Sequence, residues 1–154
     1  MDIKRKGGLK WMLAAVFGCF FATADAQVTE SLKAIGMENI RCGQTPGMTT
    51  VSFENNVYRS SCTGVGKAID ACLGSKTKGD LQLVVLENLI PKLCINLPDT
   101  LTEAYRNGEI SLIQVYRQMG ITADTDPAMK VLKNAGREEA PSAWKVDLVV
   151  YPDL

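Results

Sequence analysis

Residues 81–97 read LQLVVLENLIPKLCINL. Leu81–Leu86 is a short apolar run rich in β-branched and aliphatic residues, which predicts a strand. Lys92–Leu97 repeats the pattern and predicts its partner. Glu87, Asn88 and Pro91 supply the polar and ring-constrained residues of a connection. Pro98-Asp99 closes the pair. The flanking segments decide what this hairpin packs against.

Upstream, Thr49–Tyr58 predicts a strand with Val51 and Phe53 on one face and Ser52, Glu54 and Asn56 on the other. Ile40–Gly43 begins a strand before it, and Thr45-Pro46-Gly47 marks the turn between the two. Val28–Met37 predicts a helix with Val28, Leu32 and Ile35 on one face, ending near Gly36. Gly64–Leu73 predicts a second helix with a stripe of Val65, Ile69, Cys72 and Leu73. Ser60 and Ser61 stand where capping hydroxyls belong. The segment 74–80, GSKTKGD, is a polar loop.

Downstream, Leu101–Asn107 predicts one or two helical turns stopped by Gly108. Glu109–Met119 alternates, with Ile110, Leu112, Gln114 and Tyr116 on one side, and predicts a strand. Pro127–Asn134 predicts a short helix capped by Asp126. Trp144–Tyr151 alternates again and predicts a last strand. The chain then ends at Leu154 without a polar tail, which suits a final sheet strand or a chain cut before a further domain.

The resulting order places helices among hairpins. The expected fold class is α+β: an antiparallel or mixed sheet with two main helices packed on one face. The two halves echo each other as a helix followed by a hairpin, an expected duplicated unit.

The N-terminus sets the compartment. Residues 1–26 read MDIKRKGGLKWMLAAVFGCFFATADA. Lys4, Arg5, Lys6 and Lys10 form a basic stretch, Trp11–Thr23 an apolar one, and Ala24-Asp25-Ala26 a small-residue cleavage site. The apolar run is short for a membrane span. The expectation is a signal peptide over 1–26 and a single exported domain over 27–154. Gly18-Cys19 offers a lipoprotein reading, which the bulky Phe17, Phe20 and Phe21 disfavour.

Composition narrows the chemistry further. The chain carries 17 basic and 17 acidic residues and no histidine. Cleavage removes more basic than acidic residues, so the domain is slightly acidic. No basic stripe points to nucleic acid. The absence of histidine excludes histidine-ligated metals and histidine-dependent triads. No cofactor is expected.

Cys42, Cys62, Cys72 and Cys94 remain after cleavage, an even number in an oxidising compartment, and permit two disulfides. Three connectivities stay open. Their spacing lacks the close pair of a structural zinc site, so no metal is expected.

Catalytic patterns are sparse. Glu54 and Glu87 fall near strand ends and are the two carboxylates that glycoside hydrolysis requires at minimum. Gly64-Val65-Gly66-Lys67 lacks the first glycine and the hydroxyl residue of a phosphate loop. Asp124 and Asp126 lack the pattern of a calcium loop. Cys62 has no histidine to activate it. Tyr58 with Arg59, and Tyr105 with Arg106, are the candidate surface-recognition pairs.

Residues 32–41, LKAIGMENIR, followed by 51–59, VSFENNVYR, resemble the N-terminal part of YjbH-like outer-membrane proteins linked to exopolysaccharide production. In that family a helix ends in a glycine turn leading to Glu-Asn, and a strand with Glu-Asn and an aromatic-arginine pair follows. Val149-Val150-Tyr151-Pro152 resembles a passage toward a membrane barrel. The family's large β-rich portion has no counterpart here.

The resemblance implies a Gram-negative envelope protein, in the periplasm or at the outer membrane. It would work beside an outer-membrane barrel or a glycan-export protein, with a glycan as a further ligand. The expected function is a noncatalytic interaction domain assisting polysaccharide secretion or outer-membrane assembly. It would act through a sheet edge or the Tyr58, Arg59, Tyr105 and Arg106 surface. The alternative is a small secreted carbohydrate-active hydrolase, which a carboxylate pair in a deep cleft would favour.

Overall fold

The computed structural model describes residues 23–134. Most of the expected signal peptide and the expected strand Trp144–Tyr151 lie outside these residues. The hairpin read from 81–97 is present as β3 (Asp80–Glu87) and β4 (Ile90–Leu97), with Leu81 opposite Leu97 and Leu83 opposite Ile95. Its turn is only Asn88-Leu89, with φ of 52° and 64°. Two successive left-handed residues are the geometry that matches strand twist in a tight hairpin. Pro91 belongs to β4 itself, opposite Leu86, and the register shifts beside it. A residue without an N–H cannot continue the ladder evenly.

The preceding hairpin is β1 (Glu38–Thr45) and β2 (Met48–Glu54), joined through Pro46-Gly47. β2 pairs in parallel with β3, Thr49 beside Leu81 and Phe53 beside Val85. Parallel neighbours need a crossover. It is supplied by α2 (Ser61–Leu73), which follows α1 (Thr23–Ala34) in the chain. Gly79 fixes where β3 begins. Its φ is +86°, and a Cβ there would stand 2.4 Å from the Gly47 carbonyl oxygen. The Asp80 N–H donates to that same oxygen at 2.9 Å.

α3 (Asp99–Arg106), α4 (Leu112–Gln118), β5 (Gly120–Thr122) and α5 (Asp126–Lys133) complete the described chain. The sheet order is β1-β2-β3-β4-β5, antiparallel except at β2–β3. The fold is a mixed α+β arrangement, as expected. The helix arrangement differs: beside the two main helices and the two short ones expected, Leu112–Gln118 is helical, which makes five helices among the described residues.

Helices also occupy both faces of the sheet. Val28 and Leu32 of α1, Ile69 and Leu73 of α2, Leu101 of α3 and Val115 of α4 share one core with Val51, Phe53, Leu83 and Ile95. Ala128 and Leu132 of α5 pack on the other face against Val84, Leu86 and Cys94. β2 is therefore buried from Thr49 through Glu54, its polar residues included. Alternation expects a solvent face for Ser52 and Glu54, and α5 removes it.

Residues 109–119 correct the expectation of a strand. They form a loop and α4. Ser111 and Gln114 have helix-start spacing, and the Gln114 Oε1 accepts the Ser111 N–H at 2.7 Å. Alternating apolar residues over so short a segment also satisfy a helix that buries one residue, Val115.

The disulfide expectation is overturned as well. No disulfide links Cys42, Cys62, Cys72 or Cys94. Cys72 lies in the main core and Cys94 in the cluster on the opposite face, so the sheet separates them. Cys62 and Cys72 sit on one helix roughly 15 Å apart along its axis. A disulfide needs Cα atoms within about 7 Å.

Candidate functional site

The last parallel pair of β2 and β3 is Glu54 and Leu86, so the two strands end side by side. Beyond them the chain departs in different directions. β2 leads through residues 55–60 into α2, and β3 turns back through Asn88-Leu89 into β4. Diverging connections at the carboxyl ends of parallel strands leave a crevice, the recurrent ligand position of open sheets.

Asn55 builds the first connection. Its Oδ1 accepts the Tyr58 N–H at 2.9 Å, and its Nδ2 donates to the Tyr58 carbonyl at 2.9 Å. This loop lies against the first turn of α2. A Cβ on Gly64 would stand 2.3 Å from the Asn55 amide. The glycine lets helix and loop meet. Ser60 takes the N-cap position with extended backbone, and the Thr63 N–H reaches its Oγ at 3.5 Å.

The resulting cleft measures about 690 Å³. Val65 and Ile69 of α2, Val85 of β3, Leu93 of β4 and Met119 form apolar walls. Asn55, Asn56, Cys62, Glu87, Lys92 and Tyr116 contribute to the lining with polar atoms. Tyr116 comes from α4, and its hydroxyl donates to the Gly66 carbonyl at 3.3 Å. Partial burial and the Asp70 carboxylate hold this phenol above its ordinary pKa, so it is a neutral donor.

Glu54 and Glu87 both line this cleft. Their surroundings differ. Glu54 is 5% exposed, and its carboxylate accepts from the Asn39 Nδ2 and from the Leu89 N–H at 3.4 Å. It ties the β1 bulge to the β3–β4 turn. Glu87 is an open side chain paired with Lys92 at 3.5 Å.

The four residues expected to recognise a partner lie elsewhere, near the two ends of α2. Tyr58 is half-buried against the main core, and Arg59 is exposed just before the N-cap. The Tyr105 hydroxyl donates to the Asp70 Oδ1 at 3.1 Å. Arg106 donates through Nε to the Leu73 carbonyl at 3.1 Å, through Nη1 to the Thr77 carbonyl at 2.8 Å and through Nη2 to the Thr77 Oγ1 at 3.1 Å. Its guanidinium closes the carbonyls at the end of α2 and in the following loop. Asp70 stands about 14 Å along the helix from its first residue, so the two pairs do not converge.

Sequence reasoning missed the cleft as a unit, although it marked Glu54 and Glu87 at strand ends. Tyr116 and Met119 were hidden by the strand reading of their segment. Among the described residues no cluster of cysteines and carboxylates has the geometry to hold a metal ion, and no helix is long and apolar enough to cross a membrane. No family model, curated protein or solved structure matches the chain.

Proposed function

We propose that this protein is a noncatalytic binding domain, and that the cleft between β2, β3, α2 and α4 takes a small amphipathic molecule. The observation that carries the reading is the combination of about 690 Å³ of space with apolar walls and a polar fringe. Ligand pockets have this size and this division of labour: apolar area gives affinity, and a few polar groups give orientation. The sequence resemblance supports an envelope setting beside a barrel or glycan exporter. In that setting the cleft ligand is an export intermediate or an apolar segment of a partner.

Saturable binding of an environment-sensitive naphthalene dye tests this reading. The expected result is one site per folded chain, abolished by Val65→Glu with far-UV circular dichroism unchanged. Leu93→Glu gives an independent variant from β4. Unsaturable or absent dye binding by the folded protein overturns the reading.

One observation favours the hydrolase alternative: Glu54 and Glu87 share the cleft. The hydrogen bonds that occupy Glu54 and the open position of Glu87 favour binding over acid–base chemistry. Turnover of aryl glycosides that is lost in both Glu54→Gln and Glu87→Gln would reverse that preference. In the same reading, α1-β1-β2 and α2-β3-β4 are two copies of one helix–hairpin unit, with the cleft at the seam.

A further inference from the structure

A second and smaller cavity lies on the sheet face that α5 covers, and Leu86 is the one residue it shares with the lining of the main cleft. This smaller cavity measures about 90 Å³, and Arg41, Ser52, Asn39, Leu86, Leu89 and Met129 line it. Its polar side arises from a break in strand register. Glu38 pairs with Glu54 and Arg41 with Ser52, so one extra residue is inserted between them in β1. Asn39 adopts φ of 53° at this point. Such a bulge re-aims neighbouring side chains. Asn39 is delivered to Glu54, and Arg41 comes directly opposite Ser52, on the same face of the sheet.

Two polar groups in this cavity lack partners. Ser52 is 1% exposed, and its Oγ has no hydrogen-bond partner. A buried hydroxyl left unpaired is costly, and most native structures avoid it. Arg41 is half-buried, and among the described residues no hydrogen bond or ion pair engages its guanidinium. The third polar residue, Asn39, is already committed to Glu54.

We infer that the Arg41–Ser52 cavity is a binding site for a small monocarboxylate with a short apolar tail. A carboxylate accepts a forked pair of bonds from a guanidinium and one more from a hydroxyl, so one ligand group satisfies both orphan donors. Leu86, Leu89 and Met129 supply the surface for the tail. The volume holds a few small groups and admits an acid of a few carbons. The Glu54 carboxylate lies one pairing step from Ser52 and is turned onto Asn39 and the Leu89 N–H. That neighbouring charge disfavours a dianion such as phosphate. Arg41, Ser52, Leu89 and Met129 line this cavity and not the main cleft, so the proposal does not rest on what the main cleft binds.

The test is an amide-resolved NMR titration of the full chain with sodium propionate, with inorganic phosphate as the comparison. Saturable shifts around residues 41, 52, 86 and 89 are expected with propionate. Arg41→Gln and Ser52→Ala should each weaken binding about tenfold or more, since each removes a bond to a charged group. Ser52→Ala should also leave the ligand-free protein at least as stable as the parent, because the hydroxyl it deletes is unpaired. Arg41→Gln, at a half-exposed position, keeps the test decisive if the Ser52 variant fails to fold. Absence of saturable shifts, unchanged affinity in folded Arg41→Gln, or tighter binding of phosphate than of propionate overturns the inference.

Discussion

At the scale of single residues, the two sharpest requirements are a missing side chain and a hidden thiol. Gly64 sits where any Cβ would collide with the Asn55 amide, which is itself locked to both backbone groups of Tyr58. Asn55 cannot yield without opening the loop. Gly64→Ala should therefore destabilise the protein by about 1–3 kcal/mol, the usual cost of overpacking, read as a lower urea midpoint. Cys72 is wholly buried, and burial pushes its thiol up to about 12. Cys62 stands exposed on the first turn of α2. Brief iodoacetamide treatment near pH 8 should modify Cys62 and spare Cys72, as peptide mass spectrometry would read, because the thiolate is the reactive form. Equal labelling of both in the folded protein would contradict the placement of α2.

At the scale of elements, Arg106 explains how α3 is held. Adjacent tyrosine and arginine residues in the sequence resemble a recognition patch. In the fold the guanidinium donates to the Leu73 and Thr77 oxygens, joining α3 to the end of α2. Arg106→Ala should cost about 2 kcal/mol, since it leaves part-buried carbonyls without a charged donor. Arg106→Lys should recover less than half of that, because an ammonium cannot reproduce the fork. Thermal unfolding of the two variants checks both numbers, and an unaffected Tm in Arg106→Ala would contradict this fastening role. α4 carries a related lesson. Period-two alternation over 109–119 was legible but misleading, because α4 buries one residue, and the Ser111–Gln114 start signal outweighs the alternation.

At the scale of the whole molecule, the buried thiol links stability to alkalinity. The folded-state pKa of Cys72 is raised from 9.0 to about 12. Between those values the unfolded chain has lost the proton and the folded chain retains it. Stability is fully present below about pH 9 and falls as pH rises, by up to about 1.4 kcal/mol per unit. Cys94, Tyr105 and Tyr116 are raised as well, each chiefly by burial, and shift stability in the same direction at alkaline pH. Urea denaturation from pH 8 to 10.5 should show a falling midpoint, and Cys72→Ala should flatten part of the slope. A midpoint rising over that range would contradict the burial of these groups.

Both hairpins, the two long helices and the short helix near Pro127 are legible along the chain. Each of these is a local matter, set by apolar period, turn residues and caps within a dozen positions. The parallel run of β2 and β3 is a matter of packing, since that pairing joins residues some thirty positions apart through α2. Packing also decided that α5 seals the second face, burying Ser52 and Glu54 at positions whose alternation pointed to solvent. The cysteine count permitted disulfides, and the sheet standing between Cys72 and Cys94 separates that pair. Both cavities have the same origin. They lie where segments distant in sequence converge, and no pattern along one strand or helix encodes the space between them.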